Sequence, residues 1–383
     1  MKKIITTLLV ITLISTYGLA QDSTKTFTLS GSVDTYMHTT FGTRNGAFDS
    51  YGPTTSFADL KGFSLGMANL IASYSGEKAG FTADLVFGPR GNAALFYGDP
   101  STGSVSGQRI INQMYAFYKV SEAVTLNLGQ FNTFLGYEVI SPAINANYST
   151  SYLFSNGPFN HTGLRADFTF GNGLVAKLAV MNPTDMLEFN PVNTYTVGAQ
   201  IGRTSEAGGI WLNFLYGDQD GRPDADVDGD GTESAGNLFQ ADLTGGFTIS
   251  DAFYLGFNTS FQTIGEGQVL EGEDVQDLGN DATSFFGVAV YPKFTLSETA
   301  AIALRGEYFS IAKTHPLASP IFSDESGDGS VIALTATGNI KVGGLIIMPE
   351  VRLDTTSEDN FYKKDGGTTD SIISLTLATV YKF

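Results

Sequence analysis

The chain has 383 residues, no Cys, three His and a formal charge of −18. Abundant aromatic and aliphatic residues exclude a disordered polymer, and the acidic balance excludes a nucleic-acid binder, which needs a basic footprint. Without Cys there is no disulfide framework, no thiolate metal site and no thiol nucleophile.

Lys2 and Lys3 precede the apolar stretch Ile4 to Ile14, and Gly18-Leu19-Ala20 stands before Gln21. This is the layout of a cleavable secretory signal peptide over residues 1–20. The stretch is shorter than the ~20 residues that a spanning helix needs. Cleavage removes two Lys, so residues 21–383 carry 19 − 39 = −20. Beyond residue 20 no apolar run approaches spanning length. A membrane form of residues 21–383 therefore has to be a closed barrel, which pairs every backbone polar group.

The rest of the chain alternates with period two. Phe27, Leu29, Val33 and Met37 interleave with Ser32, Asp34 and Tyr36; Leu164, Ala166 and Phe168 with Arg165 and Asp167; Val351 and Leu353 with Glu350, Arg352 and Asp354. One apolar and one polar face per segment is the pattern of a strand between two environments. Sixteen such segments start near residues 27, 63, 81, 109, 124, 161, 174, 193, 209, 237, 252, 282, 300, 330, 345 and 370. Short and long connections alternate between them, as in an outer-membrane barrel with short periplasmic turns and long external loops. The expected fold is all-β: a transmembrane antiparallel up-and-down barrel of about sixteen strands. Phe27, Phe81, Tyr118, Phe170, Phe247, Phe253, Phe294 and Phe383 fall at the periplasmic ends of the expected outward face, as an interfacial aromatic girdle would. The final segment ends in Phe383, the form of an assembly signal read by the barrel-assembly machinery.

Residues 112–182 carry a more specific pattern. Asn112-Gln113-Met114-Tyr115, Leu128-Gly129-Gln130-Phe131, Gly136-Tyr137-Glu138-Val139-Ile140 and Asn147-Tyr148-Ser149 are followed by Gly157-Pro158-Phe159, His161-Thr162-Gly163 and Met181-Asn182-Pro183. This run resembles the OmpL-like β-barrel porin family. Thr150 stands where a basic residue is expected, and Tyr36 where members often carry paired aromatics. The resemblance implies a Gram-negative outer-membrane porin in contact with lipid.

Residues 135–160 join segments five and six. In sixteen-stranded porins generally the third external loop narrows the lumen. Here it holds Ile140, Ile144, Tyr148, Tyr152, Phe154 and Phe159, which need burial, with Glu138 as its one charged residue. It is the candidate constriction. Arg165, Lys177, Arg305 and Arg352 are inward cations that could face Glu138 and set a transverse field. Local pairs such as Arg305 with Glu307 and Arg352 with Glu350 are the plainer expectation, and Asp167 joins the charged lumen.

The external loop 218–236 is acidic. Asp226, Asp228 and Asp230 have the spacing that opens a calcium loop, but Asn237 stands where the bidentate Glu belongs. A solvated acidic loop is the main expectation and weak calcium binding the secondary one; no cofactor is expected to be required. His38, His161 and His315 form no recognisable catalytic set, so no enzyme activity is expected. The reading is a porin for passive diffusion of small polar solutes and ions, with a homotrimer suggested by analogy. The alternative is a non-conducting structural or adhesive barrel plugged by its own loops.

Overall fold

A computed structural model of the protein describes residues 25–43, 55–95, 109–191, 194–219, 237–265, 268–271, 274–277, 282–313, 324–359 and 361–383. The segment 1–20, Asp226, Asp228, Asp230 and His315 lie outside them.

Sixteen strands close into one antiparallel barrel. They are β1 (Thr26–Phe41), β2 (Gly62–Ser75), β3 (Ala79–Phe87), β4 (Ile111–Lys119), β5 (Val124–Asn132), β6 (Asn160–Thr169), β7 (Leu174–Met181) and β8 (Thr196–Ser205). The second half comprises β9 (Gly208–Asp218), β10 (Asn237–Ser250), β11 (Phe253–Ile264), β12 (Thr283–Thr295), β13 (Ala300–Ala312), β14 (Gly329–Val342), β15 (Leu345–Thr356) and β16 (Ser371–Lys382). Every start lies within three residues of its sequence expectation. β1 pairs β16 from Ser32↔Lys382 to Phe41↔Ile373. The Gly31 and Phe383 backbones exchange two hydrogen bonds of 3.1 Å, so the C-terminal residue completes the closure.

The period-two pattern becomes two surfaces. Leu164, Leu377, Ile373, Tyr381 and Phe239 are exposed on the outer wall. Asp242, Glu350, Arg352 and Asp354 are buried inside. A one-residue slip would invert each strand, so this sidedness fixes the register. Phe27, Phe81, Tyr118, Phe170, Phe294 and Phe383 are exposed at the short-turn rim. Phe253 and Phe294 stack there with centroids 5.0 Å apart.

The long-loop side adds structure that periodicity does not announce. Helix α1 (Pro89–Ala94) follows β3, and helix α2 (Tyr152–Asn156) lies between β5 and β6. Two short hairpins pair Gln268–Glu271 with Asp274–Asp277 and Phe361–Tyr362 with Thr368–Thr369. Phe57, Met67, Val86, Leu95, Ile140, Phe159 and Leu187 form one buried cluster that packs four inter-strand segments together.

Candidate functional site

Asn132 ends β5 and Asn160 begins β6, so the connection has to leave and re-enter between paired strands. Gly136 turns it at φ +81°, a conformation that favours glycine. The Gly136 N–H donates to Asp242 Oδ1 at 3.0 Å, and Asn213 and Asn258 donate to the same carboxylate. Asp242 lies inward on β10, so the connection enters the barrel as it leaves β5.

Glu138 then meets the wall. Its Oε1 lies 2.8 Å from Arg305 Nη1 on β13, and both side chains are almost wholly buried. Its Oε2 accepts the Ser151 N–H at 2.8 Å, which ties the start of the loop to its far end. Arg305 also donates to the Ser149 carbonyl at 2.6 Å. Glu350 accepts the Tyr148 and Ser149 N–H groups at 2.8 and 3.1 Å, and the Thr337 hydroxyl at 2.7 Å. Glu307 accepts the Tyr152 and Leu153 N–H groups at 3.0 and 2.8 Å. These are the first N–H groups of α2, which have no partner within the helix, and a carboxylate there also suits the helix dipole. Ser151 caps the same helix, its hydroxyl accepting from Phe154 N–H.

The neighbouring wall on β1, two strands beyond β15 in the closed ring, holds the loop too. The Tyr148 hydroxyl donates to Asp34 Oδ2 on β1 at 2.5 Å. Burial pushes the Tyr148 phenol up, so it stays a donor. Arg90 of α1 donates to the Ile140 and Tyr148 carbonyls at 3.2 and 3.0 Å. Its guanidinium stands over Phe57 and Tyr148, 4.7 and 4.8 Å from their centroids. Residues 136–153 thus cross the lumen from their roots on β5 and β6 to the facing arc of wall, where they are bonded to β10, to β13–β15 and to β1, with α1 adding two further bonds. Two small spaces at mid-height, one bordered by His38 and Arg352 and the other by Asp242 and Asn258, have volumes of about 10 and 20 Å³, room for roughly one water each.

The charged pairs differ from the local ones expected. Arg305 faces Glu138 rather than Glu307, and Arg352 faces Asp354 at 2.7 Å rather than Glu350. Glu307 and Glu350 are taken up by loop N–H groups, because the loop brings donors that the strands alone do not have. Arg165 is paired within its own strand, with Asp167 at 2.8 Å. Lys177 donates to Gln200 at 2.5 Å. Neither Arg165 nor Lys177 contacts Glu138. Ile144 is 69 % exposed, unlike Ile140, Tyr148, Tyr152 and Phe159. His161 packs against Phe134 and bonds Thr133 at 3.0 Å.

Toward the short-turn rim the lumen widens into two adjoining cavities of about 540 and 530 Å³. Tyr137 and Tyr254 border both, their hydroxyls 3.3 Å apart. Tyr137 stacks on Tyr291 with centroids 4.2 Å apart. Trp211, Thr204, Ser205, Glu206 and Thr244 line the first cavity; Ile144, Asn145, Asp251 and Lys293 line the second. Sequence reasoning singled out neither Trp211 nor Arg90. Trp211 carried a signal, being the one Trp and sharing the polar face of β9 with Asn213.

Comparison with known proteins agrees with this architecture. The model of a family described as "Putative beta-barrel porin-2, OmpL-like" matches residues 26–383. Among solved structures, the anion-selective porin from Comamonas acidovorans superposes with a TM-score of 0.59 at 10 % identity, over 94 % of this chain and 100 % of that one. The outer-membrane channel DcaP of Acinetobacter baumannii gives 0.57 at 13 %, over 96 % and 99 %. OmpT of Vibrio cholerae, in a trimer form, gives 0.55 at 11 %, over 94 % and 99 %. At such identities these structures share the fold alone. None of the curated proteins matches the sequence.

Proposed function

Because the chain belongs to the OmpL-like β-barrel porin family of the Gram-negative outer membrane, we propose that it is a passive diffusion channel for small polar solutes and ions, with residues 135–160 as its constriction. The carrying observation is the loop that leaves β5, reaches Arg305 on β13 and Asp34 on β1 across the barrel and returns to β6, while a wide vestibule stays open beneath it. Such a loop sets a size limit at mid-height and leaves solvated space below. Glu138, Arg305, Glu307, Glu350 and Arg352 act by holding the loop. Arg165, Asp167 and Lys177 line the wall beside it.

The plugged-barrel reading has one specific support: the two mid-lumen spaces are no larger than a water each. Single-channel recording in planar bilayers separates the readings. Discrete conductance steps support diffusion, and a folded protein that gives none supports the plug.

Three further elements belong to the proposal. The trimer form recorded for OmpT of Vibrio cholerae supports a homotrimer here. Phe383, paired with Gly31, is the residue that the barrel-assembly machinery would engage. The acidic loop 218–236 is taken as a solvated loop, with weak calcium binding at Asp226, Asp228 and Asp230 as the secondary reading, and no catalytic step is assigned to the chain.

A further inference from the structure

The chain's one Trp lies where a barrel in lipid does not require one. Trp211 points inward from β9, half-buried, and borders the larger vestibule cavity. Two inward-facing glycines lie beneath it: Gly202, its direct partner on β8, and Gly209, two residues earlier on β9. A Cβ added at Gly202 would come within 2.1 Å of Trp211 Cδ1, under the five-membered ring. A Cβ added at Gly209 would come within 2.6 Å of Cη2, under the six-membered ring. The indole therefore lies flat along the wall, one face on glycine backbone and the other toward the cavity.

The same arrangement recurs beside it. The Tyr254 hydroxyl end lies over Gly246, and the Tyr137 ring over Gly256. Three rings resting on four glycines give the vestibule a shallow aromatic floor. Around it stand the hydroxyl side chains Thr204, Ser205, Thr244 and Thr248 and one carboxylate, Glu206. No Lys or Arg lines this cavity among the described residues.

We propose that the platform of Trp211 on Gly202 and Gly209 is a saccharide-binding subsite. It rests on the diffusion reading and names a substrate class for it. A pyranose ring presents a face of weakly polarised C–H groups, which suits the negative face of an indole. Its equatorial hydroxyls point to the edge, where the Thr and Ser hydroxyls and Glu206 can bond them. A volume of about 540 Å³ falls within the ~300–1,000 Å³ range of small-molecule sites. The acidic, cation-free lining disfavours phosphorylated or carboxylated sugars, because like charges repel. Binding has to be weak, since a channel subsite must release what it captures.

The single Trp makes the test direct. The folded barrel in detergent is titrated with maltose while Trp emission is followed, with glucose 6-phosphate as the charged control. The expected result is a saturable change in emission with Kd on the order of 1 mM, and a response to glucose 6-phosphate at least about tenfold weaker. Gly202→Ala, which keeps the fluorophore but lifts the indole off the wall, weakens maltose binding about tenfold or more. Trp211→Leu abolishes maltose-induced interruptions of ion current. Unchanged emission at high maltose in a folded barrel overturns the proposal, as does equal maltose affinity in Gly202→Ala. Maltose binding without conductance keeps the subsite and defeats the diffusion reading. Conductance without maltose binding defeats the subsite alone.

Discussion

Glu138 Oε1 and Arg305 Nη1 are 2.8 Å apart across 167 positions of sequence, and neither side chain reaches solvent. This pair joins the inserted loop to the barrel wall. Arg305 uses the same Nη1 to hold the Ser149 carbonyl, so the cation serves the pair and the loop backbone together.

Removing one member should cost far more than removing both. Glu138→Gln leaves Arg305 buried beside a neutral amide, a loss of roughly 3–5 kcal/mol for a buried pair broken on one side. Glu138→Leu with Arg305→Met should recover part of that loss. Urea unfolding of the wild type, Glu138→Leu, Arg305→Met and the double variant reads the coupling; independent effects would show that the pair does not anchor the loop.

The outer wall offers a second test. Leu377 is exposed at the middle of β16, while its neighbour Thr376 is buried inward. Leu377→Arg should destabilise the barrel in lipid by roughly 2–4 kcal/mol, the cost of Arg at the bilayer midplane. The same substitution in a detergent-solubilised barrel should cost less. Equal stability of the variant in bilayers would contradict the assignment of this face to lipid.

Architecture was legible because a strand between lipid and lumen must alternate, and Leu164-Arg165-Ala166-Asp167-Phe168 does so residue by residue. The loop's interior location was legible too, since Tyr148, Tyr152 and Phe159 need burial and the lumen is the nearest place that supplies it. Its bonding was not. Glu307 and Glu350 are held by N–H groups of residues 148, 149, 152 and 153, and backbone donors leave no trace in residue type. Arg90 was missed for a similar reason: α1 is one short turn, and its reach to the Tyr148 carbonyl depends on how two loops pack.

Asp185 gives a pH prediction. It accepts the Phe159 and Asn160 N–H groups at 3.0 and 2.8 Å, where the loop returns to β6. Burial pushes its carboxyl up to about 7, against the pull of those two bonds. The folded state thus binds this proton more tightly than the unfolded chain does. Its stabilising contribution is full below about pH 4 and is lost as pH rises through 7. Asp185→Asn, which still offers an acceptor, should remove this fall. Thermal melts of both proteins across that range check it; parallel curves would contradict the buried carboxyl.

Ion preference follows from where the charge lies. Residues 21–383 carry −20 in formal charge, while Arg305, Arg352 and Arg165 each have an acidic partner. The net field therefore favours cations, weakly, and fades as salt shortens the Debye length to about 8 Å at physiological ionic strength. Reversal potentials across a salt gradient measure this, and strong anion selectivity at low salt would contradict it.

The most direct test of the account is single-channel conductance of the wild-type barrel beside Glu138→Gln in planar bilayers. If residues 135–160 form the constriction, the wild type shows small, uniform steps, and the variant, with its loop freed from Arg305, shows larger or noisier ones. Identical conductance in the two folded proteins, or none in either, would contradict the central claim.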